Sequence, residues 1–220
     1  MKRSLARTLC AMNVKIINLN MSNKFLITSI LIAVFIFSCS SEKHPSSTNF
    51  MSKAAEALKY CKGNNLNTEL CILIDMRVHS GKNRLYIYDF KTDSIISSGL
   101  CSHGCGSNPW AGDVTKNAPI FSNIPDSHLA SLGKYKIGNR GYSNWGINVN
   151  YKLHGLESTN SNALSRDIVL HSWQKIANHE TFPNGSPEGW GCPAVSDEQM
   201  RIIDSLLQLS HENVLLWIYK

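Results

Sequence analysis

The hydrophobic positions along this chain change period several times, and each change marks an element. Leu70 to Val78 (LCILIDMRV) opens as a nearly continuous apolar run, whereas Arg84 to Phe90 (RLYIYDF) alternates at period two. With Ser80-Gly81-Lys82-Asn83 between them, the two segments read as a β-hairpin. Ser94 to Leu100 reads as a third strand, joined by the turn Lys91-Thr92-Asp93. Ahead of the hairpin, Ser52 to Cys61 (SKAAEALKYC) is built of good helix formers and predicts a short leading helix. Downstream, Leu132 to Ile137, Ile147 to Leu153 and Ile168 to Leu170 read as strands. Ser196 followed by Asp197 and Glu198 has the form of an N-cap with acids in the first turn. Met200, Ile203, Leu206 and Leu207 then recur at helical spacing to about Leu209. Val214 to Tyr219 (VLLWIY) closes the series as a buried strand.

Seven or eight short strands against two or three helices, without a βαβ rhythm, predict a mainly β domain of mostly antiparallel pairing. A sandwich or a barrel with flanking helices satisfies that count. A chain of 220 residues supports one good core, and neither an internal repeat nor a Gly-rich phosphate loop is legible. Between Cys101 and Gly146 the sequence is dense in Gly, Asn, Ser and Pro, which predicts a long irregular or short-stranded region of the kind that carries function.

The first fifty residues follow other rules. Phe25 to Ser38 is an apolar stretch of 14 residues after Lys24, shorter than the roughly 20 a membrane-spanning helix needs but suited to a signal-peptide core. A cleaved secretory signal explains it. A lipoprotein signal explains it more sharply, because Ile36-Phe37-Ser38-Cys39 resembles a lipobox whose cysteine, Cys39, would be acylated. The expected organisation is a leader over residues 1–38, with Met21 as an alternative start, a polar tether over 39–50 and a single domain over 51–220. Charge follows the same division. Five of the 22 basic residues (Lys2, Arg3, Arg7, Lys15 and Lys24) precede Cys39 and none of the 16 acids does, so the formal charge of +6 belongs largely to the leader. No basic footprint for nucleic acid remains on the domain.

Beyond Cys39 there are five cysteines, Cys61, Cys71, Cys101, Cys105 and Cys192, an odd number for an oxidising compartment. At least one thiol is left unpaired by any intramolecular scheme, and the setting of Cys192 distinguishes it. His171 ends a predicted strand, and Cys192 follows 21 residues later between Gly191 and Pro193, just ahead of a helix. An unperturbed thiol is only about 3% ionised at pH 7, and pairing with an imidazolium brings its pKa down to roughly 3.5–7.5. Pro193 has no N–H, so any oxyanion donors near the thiol come from Cys192, Gly191 and Trp190. A tight Gly-Cys-Pro turn with an inert buried thiol is the plain alternative.

At these residues the chain resembles the murein L,D-transpeptidase catalytic domain family. His171-Ser172, a spacer and Gly189-Trp190-Gly191-Cys192-Pro193-Ala194 look most like the branch whose signature reads W-G-C-P-A. Phe121 to Pro125, Ser131 to Tyr135 and Gly155 to Glu157 are similar to segments of that branch, and the resemblance extends over Leu70 to Tyr219. It implies Cys192 as nucleophile, His171 as its base and ion-pair partner, and the backbone carbonyl of Ser172 as the group orienting the imidazole. It also implies an oxyanion hole at the Trp190, Gly191 and Cys192 amides, peptidoglycan stem peptides as substrate, and acyl transfer through a thioester without a cofactor. The setting would be an exported lipoprotein held to the membrane through Cys39 in the bacterial cell envelope, facing the periplasm. Trp190 stands where the commoner motif has a second His, and Pro193-Ala194 replace its hydrophobic-Arg pair.

Ser102-His103-Gly104-Cys105 spells the commoner signature, but no strand-borne His precedes it at the right distance. The resemblance implies that His103 lines the site instead, and Tyr135 and Trp145 are expected as further walls of a substrate groove. Cys101 and Cys105 could form a disulfide or, with His103, ligate a metal, although no fourth ligand is evident and no metal is expected. Two other readings remain open on the residues alone: a cysteine peptidase of papain type, which places its Cys before its His, and a non-catalytic module that binds the envelope.

Overall fold

In the computed structural model the described residues are 47–220, so the leader, the Cys39 anchor and most of the tether lie outside them. Two helices and eight strands follow in the order α1 (Ser47–Gly63), β1 (Leu70–Asp75), β2 (Leu85–Asp89), β3 (Ser94–Gly99), β4 (Gly133–Tyr142), β5 (Val149–Gly155), β6 (Val169–Ser172), β7 (Ala194–Val195), α2 (Asp197–Leu209) and β8 (Leu215–Tyr219). The leading helix therefore begins inside the segment that composition assigns to the tether.

All eight strands join one sheet of order β3-β2-β1-β8-β4-β5-β6-β7. Its two ends approach each other through the residues that follow β3, because the Ser102 amide donates to Ala194 O at 2.8 Å and the Ala194 amide to Ser102 Oγ at 3.0 Å. The result is barrel-like and nearly closed, and of the two predicted forms it excludes a pair of facing sheets. Pairing is less uniformly antiparallel than predicted: β8 returns beside β1 in parallel, and β6 pairs with β7 in parallel. Strand β7 escaped the hydropathy pattern because two residues show no period.

The uninterrupted apolar run of β1 has a direct cause, burial on both faces. Ile72 and Ile74 point into the main core with Leu216 and Ile218 of β8, while Cys71 and Leu73 face the other way. There they meet Ala54, Ala57 and Cys61, spaced three and four apart on α1, together with Tyr88 and Leu215. Strand β4 runs five residues past its predicted end. Its polar second half, Gly138 to Tyr142, still pairs with β5 after a register shift between Ile137 and Arg140.

Helix α2 forms where its sequence signals place it. Ser196 Oγ accepts the Gln199 amide at 3.1 Å, Asp197 and Glu198 occupy the positive end, and Met200 and Ile203 are fully buried. Ser196→Ala is expected to cost about 1 kcal/mol by leaving that amide without its cap. Urea denaturation followed by circular dichroism checks this, with a lower midpoint at unchanged slope as the expected result.

Candidate active site

The parallel pairing of β6 with β7 fixes the site. Its register sets His171 opposite Ala194 and Ser172 opposite Val195, so Cys192 stands just before β7, beside the strand that carries His171. The sulfur sits against the backbone that leads into β6. Val169 N–H donates to Cys192 Sγ at 3.4 Å, and the thiol reaches Asp167 O at 3.8 Å. Asp167 adopts a positive φ of 52°, sparsely populated for a residue with a side chain.

The imidazole of His171 is held from one side. Its Nδ1 lies 2.9 Å from Ser172 O, and since a carbonyl can only accept, Nδ1 carries the proton and Nε2 keeps its lone pair in the neutral ring. Ser172 has a second role through its hydroxyl, which accepts the Ile147 amide at 2.9 Å and so anchors the loop bearing Trp145.

The pre-formed thiolate–imidazolium pair is not present. No hydrogen bond joins His171 to Cys192 among the described residues, and burial pushes the two groups toward neutrality, raising the thiol and lowering the imidazole. A Val169 amide and the Arg166 charge partly offset the rise at the thiol, and the Ser172 carbonyl partly offsets the fall at His171. The low thiol pKa that pairing with an imidazolium would give is therefore corrected to a raised one, because desolvation disfavours both charged forms.

Two cavities meet at this pair. One, of about 340 Å³, is lined by Trp110, Trp145, Trp173 and Trp190 with His171 and Cys192; the other, of about 540 Å³, brings Asn144, Asn150, Lys152 and Asp167 beside the same two residues and Trp145. Four of the five tryptophans thus face one cavity. Trp110 stacks on Trp173 at 5.1 Å, and Trp190, 62% exposed, stacks on His128 at 5.0 Å. Sequence reasoning singled out Trp145 and Trp190; it missed Trp110 and Trp173, which are far apart in the chain and share no periodicity.

The loop before Cys192 has amides to spare. Gly189 N–H is committed to His103 O at 2.8 Å, but the N–H groups of Trp190, Gly191 and Cys192 meet no acceptor among the described residues. Gly191 takes φ +98°, and a Cβ there would lie 2.5 Å from Leu129 O, so this position admits glycine alone without rearrangement. Beneath the loop, Arg166 donates from Nη1 to Ser122 O (3.0 Å) and Ser131 Oγ (2.8 Å), and from Nη2 to Leu129 O (2.6 Å) and Ser127 Oγ (3.3 Å).

Two expected wall residues lie elsewhere. His103 is fully buried: Arg84 Nη2 donates to its Nδ1 at 2.8 Å, and its Nε2 meets Thr115 Oγ1 at 2.8 Å. Thr115 in turn donates its hydroxyl to Glu188 Oε1 at 2.8 Å and its amide at 2.6 Å. Desolvation and the neighbouring Arg84 charge push His103 down to about 3, so it is a neutral link between a buried cation and a buried carboxylate. Tyr135 is a core residue whose hydroxyl donates to Ser131 O at 2.7 Å. The family resemblance points to His103 and residue type to Tyr135 as groove residues, and packing buries both in the core instead. Cys61, Cys71, Cys101 and Cys105 are free and buried, so neither the Cys101–Cys105 disulfide nor a metal shared with the engaged His103 ring forms.

Native protein treated with iodoacetamide is expected to be labelled at Cys192, with the other four thiols protected until unfolding. The rate should climb with pH to a midpoint above that of an ordinary exposed thiol, since burial raises the Cys192 thiol. Peptide mass spectrometry across a pH series checks this, and a midpoint below about 7.5 would instead reveal a resting thiolate.

Comparison with known sequences adds one finding of weight. A family model described as the L,D-transpeptidase catalytic domain matches residues 42–219. Curated proteins give no significant match. Solved structures similar to this chain include an L,D-transpeptidase fragment from Xylanimonas cellulosilytica (12% identity, TM-score 0.38, covering 68% of this chain and 60% of that one). They also include the helical cell shape determining protein Pgp2 from Campylobacter jejuni (10%, TM-score 0.44, 69% and 47%) and Bd1075 from Bdellovibrio bacteriovorus (14%, TM-score 0.41, 69% and 48%). The chain spans about half to three fifths of the length of these proteins. The match over nearly the whole described domain makes this chain a member of the L,D-transpeptidase catalytic domain family.

Proposed function

We propose that this protein is a peptidoglycan L,D-transpeptidase that works through a thioester on Cys192. The observation that carries the reading is the convergence of three things on one pair of cavities: a half-buried thiol, an imidazole with Nε2 unprotonated, and three amides without acceptors. In this reading His171 Nε2 takes the Sγ proton as sulfur attacks the carbonyl of the L-configured third residue of a stem peptide. The Trp190, Gly191 and Cys192 amides receive the negative charge that develops on the carbonyl oxygen. The bond to the terminal D-residue then breaks, and His171 returns the proton to the leaving amine. An amine from a second stem displaces the thioester to make a cross-link, or water displaces it to trim the stem.

A neutral resting dyad is compatible with that sequence of events. The proton moves when a substrate carbonyl arrives, and hydrogen bonds that are long or absent without substrate tighten in the complex. The same absence favours a second reading, a module that binds stem peptides without turnover. We also place the domain in the cell envelope, exported and held to the membrane through an acylated Cys39, with the family's W-G-C-P-A branch as its closest signature.

Incubation with tetrapeptide stems is expected to give a covalent adduct on Cys192, seen by intact-protein mass spectrometry. Complete absence of adduct from folded protein sinks the acyl-transfer reading and leaves the binding module. Cys192→Ala should abolish the adduct and Cys105→Ala should leave it. His171→Gln should lower the acylation rate about 10²- to 10⁴-fold.

A further inference from the structure

We propose that Arg166 is a positioning residue for acyl transfer, holding the floor on which the oxyanion loop rests; this builds on Cys192 as nucleophile. No carboxylate pairs with Arg166 among the described residues, and its guanidinium is spent on four neutral acceptors, all in the segment 122–131. A charged fork committed in this way is a clamp, and the part of the segment it grips most closely, Leu129 O at 2.6 Å, is the part that touches the site.

The residues His128 to Ala130 lie between two glycines. A Cβ on Gly191 would sit 2.5 Å from Leu129 O and 3.3 Å from Ala130 N, and a Cβ on Gly104 would sit 2.2 Å from His128 O. The His128 ring stacks under Trp190, and Gly106 N–H donates to His128 O at 3.2 Å. Backbone thus rests directly on backbone, with no side chain between to absorb a displacement. A shift of the Leu129 peptide passes to Gly191 and to the amides on either side of it.

Arg166 also sits where the strand of the base begins. The next residue, Asp167, presents its carbonyl to Cys192 Sγ, and Val169 N–H donates to the same sulfur. One side chain therefore fixes the floor of the nucleophile loop relative to the backbone that leads to His171. A lysine keeps the charge but has no planar fork, and cannot reproduce bonds to Leu129 O, Ser122 O and two hydroxyls at once.

Arg166→Lys and Arg166→Gln test this by steady-state kinetics on tetrapeptide stems, with circular dichroism confirming the fold. Arg166→Lys should lower kcat about 10- to 100-fold with KM within about twofold, the result of misplacing groups by an ångström or less. Combining it with Gly191→Ala should cost little beyond the worse single change, because both act through the Leu129 peptide. A folded Arg166→Lys protein with wild-type kcat overturns the proposal. If the wild-type protein itself forms no adduct, the acyl-transfer reading fails separately, and iodoacetamide decides the matter. Arg166→Gln should then move the pH midpoint of Cys192 alkylation upward, with Arg166→Lys between. An unmoved midpoint overturns the positioning role.

Discussion

Two residue pairs between β6 and β7 decide where the chemistry of this protein sits. His171 opposite Ala194 and Ser172 opposite Val195 bring a loop of some twenty residues back to the strand it left. Strand β7 is only two residues long and would have no stability by itself. It is held on its other side by Ser102, whose amide and hydroxyl meet the Ala194 backbone and whose hydroxyl also reaches Cys192 O at 3.2 Å. The near-closure of the sheet and the placement of Cys192 beside His171 are therefore the same event.

The loop so placed is stiffened from beneath by polar groups that a sequence reader would put at the surface. Arg84 and Glu188 are both fully buried and joined through His103 and Thr115 by hydrogen bonds whose donors all run from cation to anion. Arg84 also donates twice to Cys101 O, at 2.8 and 2.6 Å. Burying such charges gives little net stability, but removing either partner leaves the other uncompensated, so the arrangement resists partial rearrangement. Glu188 stands two residues before Trp190, and the His103 backbone accepts the Gly189 amide, so this rigidity is delivered to the amides around Cys192.

A stiff loop and a neutral dyad belong together. The cavity of tryptophans lowers the local dielectric, which disfavours a resting thiolate and imidazolium and strengthens any dipole aimed at a charge that forms there later. The cavity beside it, with Lys152 and Asp167 among its lining residues, gives the same sulfur a second approach. The acyl transfer proposed for Cys192 needs two partners at one atom, and two openings at the sulfur suit that proposal.

Much of this was legible in the chain. The period-two run of β2, the double burial of β1, the N-cap and amphipathic face of α2, and the order His171 before Cys192 are all local patterns, and local patterns survive in sequence. Gly191 and Pro193 likewise restrict which amides can be free, whatever the fold. The rest was decided by contacts between distant residues. Strand β8 inserts beside β1 in parallel, Arg84 is linked to Glu188 through His103 and Thr115, and four tryptophans with no common spacing share a cavity. His103 and Tyr135 look like site residues by type and proximity in sequence, yet the core claims them because burial is set by the far side of the fold. The sequence by itself determined which groups are available for chemistry. Only the tertiary structure decided their protonation and their distances, since desolvation and hydrogen bonding depend on neighbours that the chain order does not reveal.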